Sequence, residues 1–501
     1  MPPMPGTVVC PVYLHADRNP GRIALWESKS ALTYRQLETE IAKRALWLRQ
    51  VGVRPQDRVA IIAENSLDLA VLIHTLYRAG ATAMPMNLRR APDWWALCIR
   101  EAGCARVFAD RGRREAVEGM GIPVTPIDEM EGVGDGGSGS PAGRFQVPHD
   151  IPIDRETTII FSSGSTGDPR GVILTFGNHH FNAIGSNENL PLERGDSWLA
   201  VLPFYHVGGM AILFRTALAG CSTCIVASFD PLTINGLIDE GKISHISLVP
   251  TMLESLIQAR KSRPFPGSLK AILLGGAPAP EALLRSIESL RLPVLTTYGM
   301  TETASQITAL STGDPPEKIR SAGRPLRHAE VRIVDSRGRP VEAGKDGEIA
   351  VRGEIVFRDY IGESREKTFD PNGWFRTGDL GLLDRDGYLH VKGRLDDLII
   401  SGGENIYPGE IERVAEGFPG VIECAAMGVE SEEWGQRPVL FVQVREEDFE
   451  GESMFREFLK ARLSRIAIPD RIIVIEKLPR NSIGKIARER LKALYRERTG
   501  A

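Results

Sequence analysis

Long uncharged runs are missing from this chain of 501 residues. A membrane-crossing helix needs about 18 or more consecutive apolar residues. The best candidate, LAVLIHTLYRAGATAMPMN, is broken by His74, Arg78 and glycine, and instead predicts a packed helix running into a strand. Membrane insertion is therefore not expected. An excess of one charge is missing too. The 61 Lys and Arg stand against 65 Asp and Glu, a net charge of -4. No basic block is present on the scale that nucleic acid or an anionic membrane requires. Cysteine is scarce, with 6 in the chain, at positions 10, 98, 104, 221, 224 and 424. Only Cys221 and Cys224 form a C-x-x-C, without the second pair or nearby histidines of a zinc site. They lie in GCSTCIVASF, which reads as the start of a buried strand. This usage fits a reducing compartment. The opening MPPMPGTVVCPVYLHADRNP lacks a charged stretch followed by an apolar run, so no signal peptide is expected and the expected location is cytoplasmic.

What is present is ordinary for a globular protein: 42% hydrophobic and 25% charged residues. A chain of this length exceeds one compact core, so two or more domains are expected. Residues 31–87 alternate helix and strand. LTYRQLETEIAKRALWLRQVGV predicts an amphipathic helix closed by Gly52, RVAIIAEN predicts a short buried strand, and another helix follows. The pattern continues through VLTTYGM and predicts an α/β architecture of largely parallel sheets covered by helices. Between 131 and 150, EGVGDGGSGSPAGRFQVPHD is too polar to pack and predicts a mobile surface loop. After Asp379 short strands and tight turns take over, with Asp386-Gly387 as a hairpin signal. A helix near GEIERVAEGF, two strands, and a helix near FREFLKARL then predict a small α+β domain. The expected division is 1–393, a hinge over 394–397, and 398–501. No internal repeat is visible.

The most informative segment is TTIIFSSGSTGDPRG at 157–171. An apolar strand runs into a loop crowded with hydroxyls and glycines. Glycines let backbone N–H groups converge and hydroxyls add donors, which together make a cradle for phosphates. The Walker pattern G-x-x-x-x-G-K-[ST] does not fit over it, and a plain Ser/Gly turn has the same composition. Four further segments bear on that choice. YGMTET at 298–303 offers an aromatic face, a hydroxyl and a carboxylate, which suit base stacking, phosphate contact and Mg2+ ligation. WFRTGD at 374–379 ends in Asp379, which can accept hydrogen bonds from two ribose hydroxyls. GRLDD at 393–397 and SGGEN at 401–405 place charge and flexibility at the expected boundary. PRNSIGK at 479–485 sets Lys485 on a glycine turn. Each alone has a structural reading, Asp379 as a turn residue and Lys485 as a solvated lysine. Their joint order along one chain is specific.

That order resembles the adenylate-forming superfamily of acyl-CoA synthetases, luciferases and peptide-synthetase adenylation domains. The resemblance runs over nearly the whole chain and includes LTYRQL, GDPRGV, LLGGAP, YGMTET, RTGDL, GRLDDLI and the terminal IGK. It implies a large N-terminal domain and a small C-terminal domain that rotates about a hinge, with the active site between them. It also implies an ATP-dependent ligase that makes an acyl-adenylate with release of pyrophosphate and passes the acyl group to coenzyme A, using ATP, Mg2+ and CoA. Carried over by motif, Ser162, Ser163, Gly164, Ser165, Thr166 and Gly167 would hold the ATP phosphates. Gly276, Ala277, Pro278 and Tyr298 would line the adenine pocket. Thr301 and Glu302 would handle the α-phosphate and the magnesium ion, with Glu302 as the metal ligand. Asp379 and Arg394 would hold the ribose, and Asp396 would be the hinge. Gly402 and Gly403 would serve the CoA step. Lys485 would bridge the attacking carboxylate and the α-phosphate. One departure stands out. The phosphate loop of the family usually ends in Pro-Lys-Gly, and here it is Pro169-Arg170-Gly171, which keeps the charge without the ammonium geometry.

For the acid, LPFYHVGGM at 202–210, Arg215 and HISLVPT at 245–251 resemble the o-succinylbenzoate–CoA ligases of menaquinone biosynthesis. YGMTETASQ at 298–306, SAGRPL at 321–326 and ISGGENIYP at 400–408 carry the same resemblance. That acid has two carboxylates, so the one that does not react needs a donor. Arg215 is the expected donor, with His206 nearer the reacting end and Thr251 assigned to the same acid site. The competing reading has Arg215 facing solvent or capping a helix. A ligase for another aromatic or fatty acid, a stand-alone adenylation enzyme loading a carrier protein, and a catalytically silent binding module are the alternatives. Glu302, Asp379, Arg394 and Lys485 together speak against the last. The expected partners are a small-molecule acid, ATP and CoA, with no nucleic acid, and a homodimer is left open.

Overall fold

Short apolar runs bounded by turn residues fold as the predicted buried strands. The computed structural model describes residues 6–132, 147–163, 169–480 and 486–499, so most of the 131–150 segment lies outside the described residues. Strand Arg58–Ile62 is buried almost throughout. It sits in a seven-stranded sheet between Thr82–Pro85 and Arg106–Ala109, with all three parallel. Beyond Thr82–Pro85 come Glu156–Ser163, Pro169–Thr175 and Asp359–Tyr360, and the last two pair antiparallel. A nine-stranded sheet has a parallel centre that includes Ala271–Leu274 and Val294–Met300. Ser305–Ala309 then turns back antiparallel along it. The parallel expectation therefore holds at the sheet centres and fails at the edges that carry the motifs. The physical reason is loop length, because a tight loop can join only antiparallel neighbours.

The helix predicted from Leu32 starts later, at Tyr34, and runs to Gln50. Leu32 and Thr33 instead finish a strand. Thr33 Oγ1 accepts the Gln36 N–H at 3.3 Å and Gln36 Oε1 accepts the Thr33 N–H at 2.9 Å. This reciprocal cap fixes the first turn. Helix Leu67–Ala79 runs into strand Thr82–Pro85 as the sequence implies. Among the described residues no helix is long and apolar enough to cross a membrane. Helix Phe176–Asn189 touches strands of both large sheets, and helix Val207–Ala219 packs along it.

The run of hairpin-linked strands begins at Ala329, well before the change to short strands and tight turns expected after Asp379. Ala329–Val334, Gly347–Gly353, Phe375–Leu383 and Leu389–Arg394 form a four-stranded sheet. Its last hairpin turns at Asp386-Gly387, where Gly387 takes a φ of 82°. A separate five-stranded sheet follows, from Ile399–Ser401 to Arg471–Val474. It is covered by helices Pro408–Ala415 and Glu452–Lys460. The large apolar cluster takes its last buried member at Leu389, and the clusters of the final sheet begin at Ile399.

Candidate functional site

Three of the expected nucleotide residues meet at one carboxylate. Asp379 and Arg394 lie directly opposite each other on neighbouring antiparallel strands. Arg394 Nη1 donates to Asp379 Oδ1 at 3.0 Å and to the Thr377 carbonyl at 3.2 Å. Tyr298, near the end of strand Val294–Met300, donates its hydroxyl to Asp379 Oδ2 at 2.6 Å. Burial and the adjacent Asp379 charge push the Tyr298 hydroxyl well above its usual range, so it stays a donor. An ionised carboxylate has about four acceptor directions, so Asp379 retains capacity for hydroxyl donors.

Glu302 lies in the 3-10 turn Thr301–Thr303 that separates strands Val294–Met300 and Ser305–Ala309. The Phe357 N–H donates to its carbonyl at 2.8 Å, and the Tyr360 hydroxyl donates to its Oε1 at 2.8 Å. Burial raises the Glu302 carboxyl above its ordinary value, opposed by that hydrogen bond and by the Arg394 charge. Among the described residues no lysine or arginine forms an ion pair with Glu302. A carboxylate drawn into protein without a cation fits a hard divalent ion, and magnesium needs only one or two such ligands beside phosphate oxygens. The sequence reading missed Tyr360. Its segment, FRDYIG at 357–362, has no glycine cradle or charge pattern that marks it.

The segment expected to hold phosphates has antiparallel strands that end at Ser163 and restart at Pro169, with Ser162 opposite Arg170. Gly164, Ser165, Thr166 and Gly167 lie outside the described residues, as does Lys485. Arg170 reaches sideways. Its guanidinium carbon lies 5.3 Å from the Tyr360 ring centroid and a nitrogen lies 3.9 Å from a Glu363 oxygen. Gly276, Ala277 and Pro278 follow strand Ala271–Leu274 in a loop. Gly276 has a φ of 84°, and a Cβ there would stand 3.1 Å from Val249 Cγ1. That places the loop against the start of helix Pro250–Arg260, which carries Thr251.

Arg215 is neither solvent-facing nor a helix cap, which corrects both parts of the competing reading. It lies inside helix Val207–Ala219 and is 1% exposed. Nη2 donates to Asn182 Oδ1 at 3.2 Å and to Ser305 Oγ at 3.0 Å, and the guanidinium sits 5.5 Å from the Trp198 ring. Nε and Nη1 are buried without a hydrogen-bond partner, and no carboxylate among the described residues pairs with them. Burial lowers the group to about 9, so it remains charged at neutral pH. A buried ion costs several kcal/mol unless paired. Ala304 and Ser305 hold left-handed φ values of 51° and 123°, a strain of about 1–3 kcal/mol each in the turn that carries Ser305 to Arg215. His206 sits at the entry of the same helix, about 13 Å along it from Arg215.

Asp396 lies exposed just after Arg394, while its neighbour Asp397 pairs with Arg488 at 3.1 Å. Gly402 and Gly403 form the two-residue turn between strands Ile399–Ser401 and Glu404–Ile406, with φ of 58° and 84°. The Gly402 N–H donates to the Trp434 carbonyl at 2.9 Å.

Two family models match the chain, the AMP-binding enzyme over residues 13–361 and the AMP-binding enzyme C-terminal domain over 410–485. The 2-succinylbenzoate–CoA ligase of Geobacillus sp. (strain WCH70) is 37% identical over 477 residues, covering 95% of each chain. That of Bacillus cereus (strain ATCC 10987 / NRS 248) is 36% identical over 481 residues, covering 95% of this chain and 97% of the relative. Among solved structures, the o-succinylbenzoate CoA synthetase of Bacillus subtilis with its acyl-adenylate intermediate is 33% identical. It superposes with a TM-score of 0.88 over 97% of this chain and 98% of that one. A double mutant of the same synthetase bound to its product analogue covers the same shares at a TM-score of 0.73.

Proposed function

Because the chain belongs to the AMP-binding enzyme family, we propose that it is an ATP-dependent acid–thiol ligase, which activates o-succinylbenzoate as an acyl-adenylate, releases pyrophosphate and transfers the acyl group to CoA. Asp379, with Arg394 and Tyr298 fixing its two oxygens, accepts the ribose hydroxyls. The loop Gly276–Ala277–Pro278 and the Tyr298 ring take the adenine. Ser162 and Ser163, with Gly164 to Gly167, hold the phosphates, joined by Thr301 at the α-phosphate. Glu302 holds the magnesium ion, which would neutralise phosphate charge. Lys485 bridges the acid carboxylate and the α-phosphate as negative charge builds there. Residues 394–397 form the hinge, centred on Asp396, between bodies 1–393 and 398–501. Gly402 and Gly403 face the path of the CoA thiol in the second step. All six cysteines are free thiols, which supports a reducing, cytoplasmic setting.

The observation that carries the choice of acid is the buried, incompletely partnered guanidinium of Arg215. A monocarboxylate spends its only charge on the α-phosphate and leaves Arg215 unmatched. A dicarboxylate supplies the missing anion, with His206 and Thr251 nearer its reacting end. The test is pyrophosphate release and acyl-CoA formation over a panel of o-succinylbenzoate, benzoate and octanoate. The dicarboxylate should be turned over at least about tenfold better, given what one charge-assisted contact contributes. A flat profile or a preference for octanoate removes this acid while leaving the ligase intact. Turnover with a phosphopantetheinylated carrier in place of free CoA removes the CoA step.

A further inference from the structure

Tyr360 contacts the carboxylate assigned to magnesium, yet neither the reaction nor the motifs give it a task. It lies on the short strand Asp359–Tyr360, which pairs with the second strand of the phosphate hairpin, Tyr360 opposite Val172. The Ile361 N–H donates to the Gly171 carbonyl at 2.8 Å, so backbone bonds tie this strand to the hairpin on both sides of Tyr360. The ring is 6% exposed and packs edge-on against Phe357, with centroids 4.7 Å apart. The hydroxyl is held 2.8 Å from Glu302 Oε1, and Arg170 stands over the same ring at 5.3 Å.

We infer that Tyr360 is a positioning residue, which holds the Glu302 carboxylate in the orientation its divalent ion requires. The inference rests on the ligase reading above. A phenol has one proton to give, so it occupies one lone pair of Oε1 and leaves Oε2 open. It also adds no positive charge, so the carboxylate keeps its full charge for a hard cation. A lysine or arginine at this place would orient the group equally well but compete with the ion. Because Tyr360 hangs from the hairpin, the metal carboxylate is registered to the strand that leaves the phosphate loop. The Arg170 guanidinium over the ring adds a second tie to that loop. Its planar face suits a ring in a way an ammonium does not, which gives a reason for arginine where the family usually has lysine.

Tyr360→Phe keeps the ring, its packing and the Arg170 contact, and removes only the hydroxyl. Binding of a fluorescent ATP analogue to the full chain is titrated with Mg2+ and repeated in EDTA. The Mg2+ midpoint should rise about tenfold, the usual scale for losing a partner that orients a metal ligand, while binding in EDTA stays unchanged. Glu302→Gln should abolish the Mg2+ response, and adding Tyr360→Phe to it should change nothing further. An unshifted midpoint, or equal weakening with and without Mg2+, overturns the inference. A wild-type chain whose nucleotide binding ignores Mg2+ removes the ligase reading and this inference with it. Should Tyr360→Phe not fold, 3-fluorotyrosine at position 360 answers the same question in an otherwise unaltered chain. Its fluorine resonance should move when Mg2+ joins bound ATP and stay still in Glu302→Gln. A resonance indifferent to Mg2+ in both overturns the inference.

Discussion

Arg215 keeps its charge where water cannot reach it, and its effects on binding and on stability should therefore have opposite signs. Arg215→Ala should raise KM for o-succinylbenzoate by about 10- to 150-fold, the range for losing a hydrogen bond to a charged group. KM for ATP should stay near wild type, because the contact is made equally in ground and transition states. In Arg215→Met a similar apolar volume replaces a buried ion that lacks an acid. That exchange is often neutral or stabilising, so the urea midpoint of the unliganded variant should match or exceed wild type. A lower midpoint together with an unchanged acid KM would make the arginine a structural group. The sequence could name Arg215 because its helix is otherwise apolar, GGMAILFRTALA. It could not show that Asn182 and Ser305, distant in the chain, leave two of its nitrogens unmatched.

At the scale of elements, the proposed reaction draws on two separate segments beyond the proposed hinge. One is PRNSIGK at 479–485, whose Lys485 lies outside the described residues. The other is the glycine turn at 402–403. A side chain at Gly402 would meet the Trp434 ring 2.9 Å away, whereas one at Gly403 meets nothing within 4 Å. Gly403→Leu therefore adds a left-handed backbone strain of about 1–2 kcal/mol but no clash in this arrangement. In single-turnover experiments it should make and retain acyl-AMP while forming little acyl-CoA. Lys485→Ala should lose about a hundred- to thousandfold in acyl-AMP formation, yet convert supplied acyl-AMP to the thioester. Equal loss of both steps in both variants would favour one fixed site.

For the whole molecule, the likeness is higher to the acyl-adenylate complex, 0.88, than to the product-analogue complex, 0.73. In this arrangement Glu416, at the end of helix Pro408–Ala415, lies beside the Glu281 backbone at the start of helix Glu281–Leu290. Burial and the neighbouring Glu412, Glu423 and Glu254 push its carboxyl up to about 7. Arg480 pairs with Glu423, and Arg488 pairs with Glu412 at 2.9 Å, so these cations serve other acids of the cluster. A carboxyl raised on docking favours the docked arrangement at low pH, and that contribution is lost as pH rises through about 7. The distance between spin labels at Lys43→Cys and Glu457→Cys should therefore be more uniform at pH 6 than at pH 8. Glu416→Gln should remove most of that difference. A distance distribution with the same pH response in the Gln variant would place the titration elsewhere.

The sequence by itself determined the apolar strands, the turn at Asp386-Gly387, and the identity of the residues that gather at Asp379. Each depends on local chemistry: side-chain period, glycine conformations and charges at fixed spacing. It placed the helix start two residues early, because Leu32 and Thr33 suit a helix until Thr33 is recruited as its cap. It also placed the change to short strands and tight turns too late, after Asp379 instead of at Ala329, because strand pairing is decided by which neighbour is close in space. Tyr360 and the unmatched nitrogens of Arg215 belong wholly to the tertiary structure. What they do depends on partners 58 residues away for Tyr360 and 33 and 90 away for Arg215. No periodicity in the chain records such separations; only packing brings those atoms within hydrogen-bonding reach.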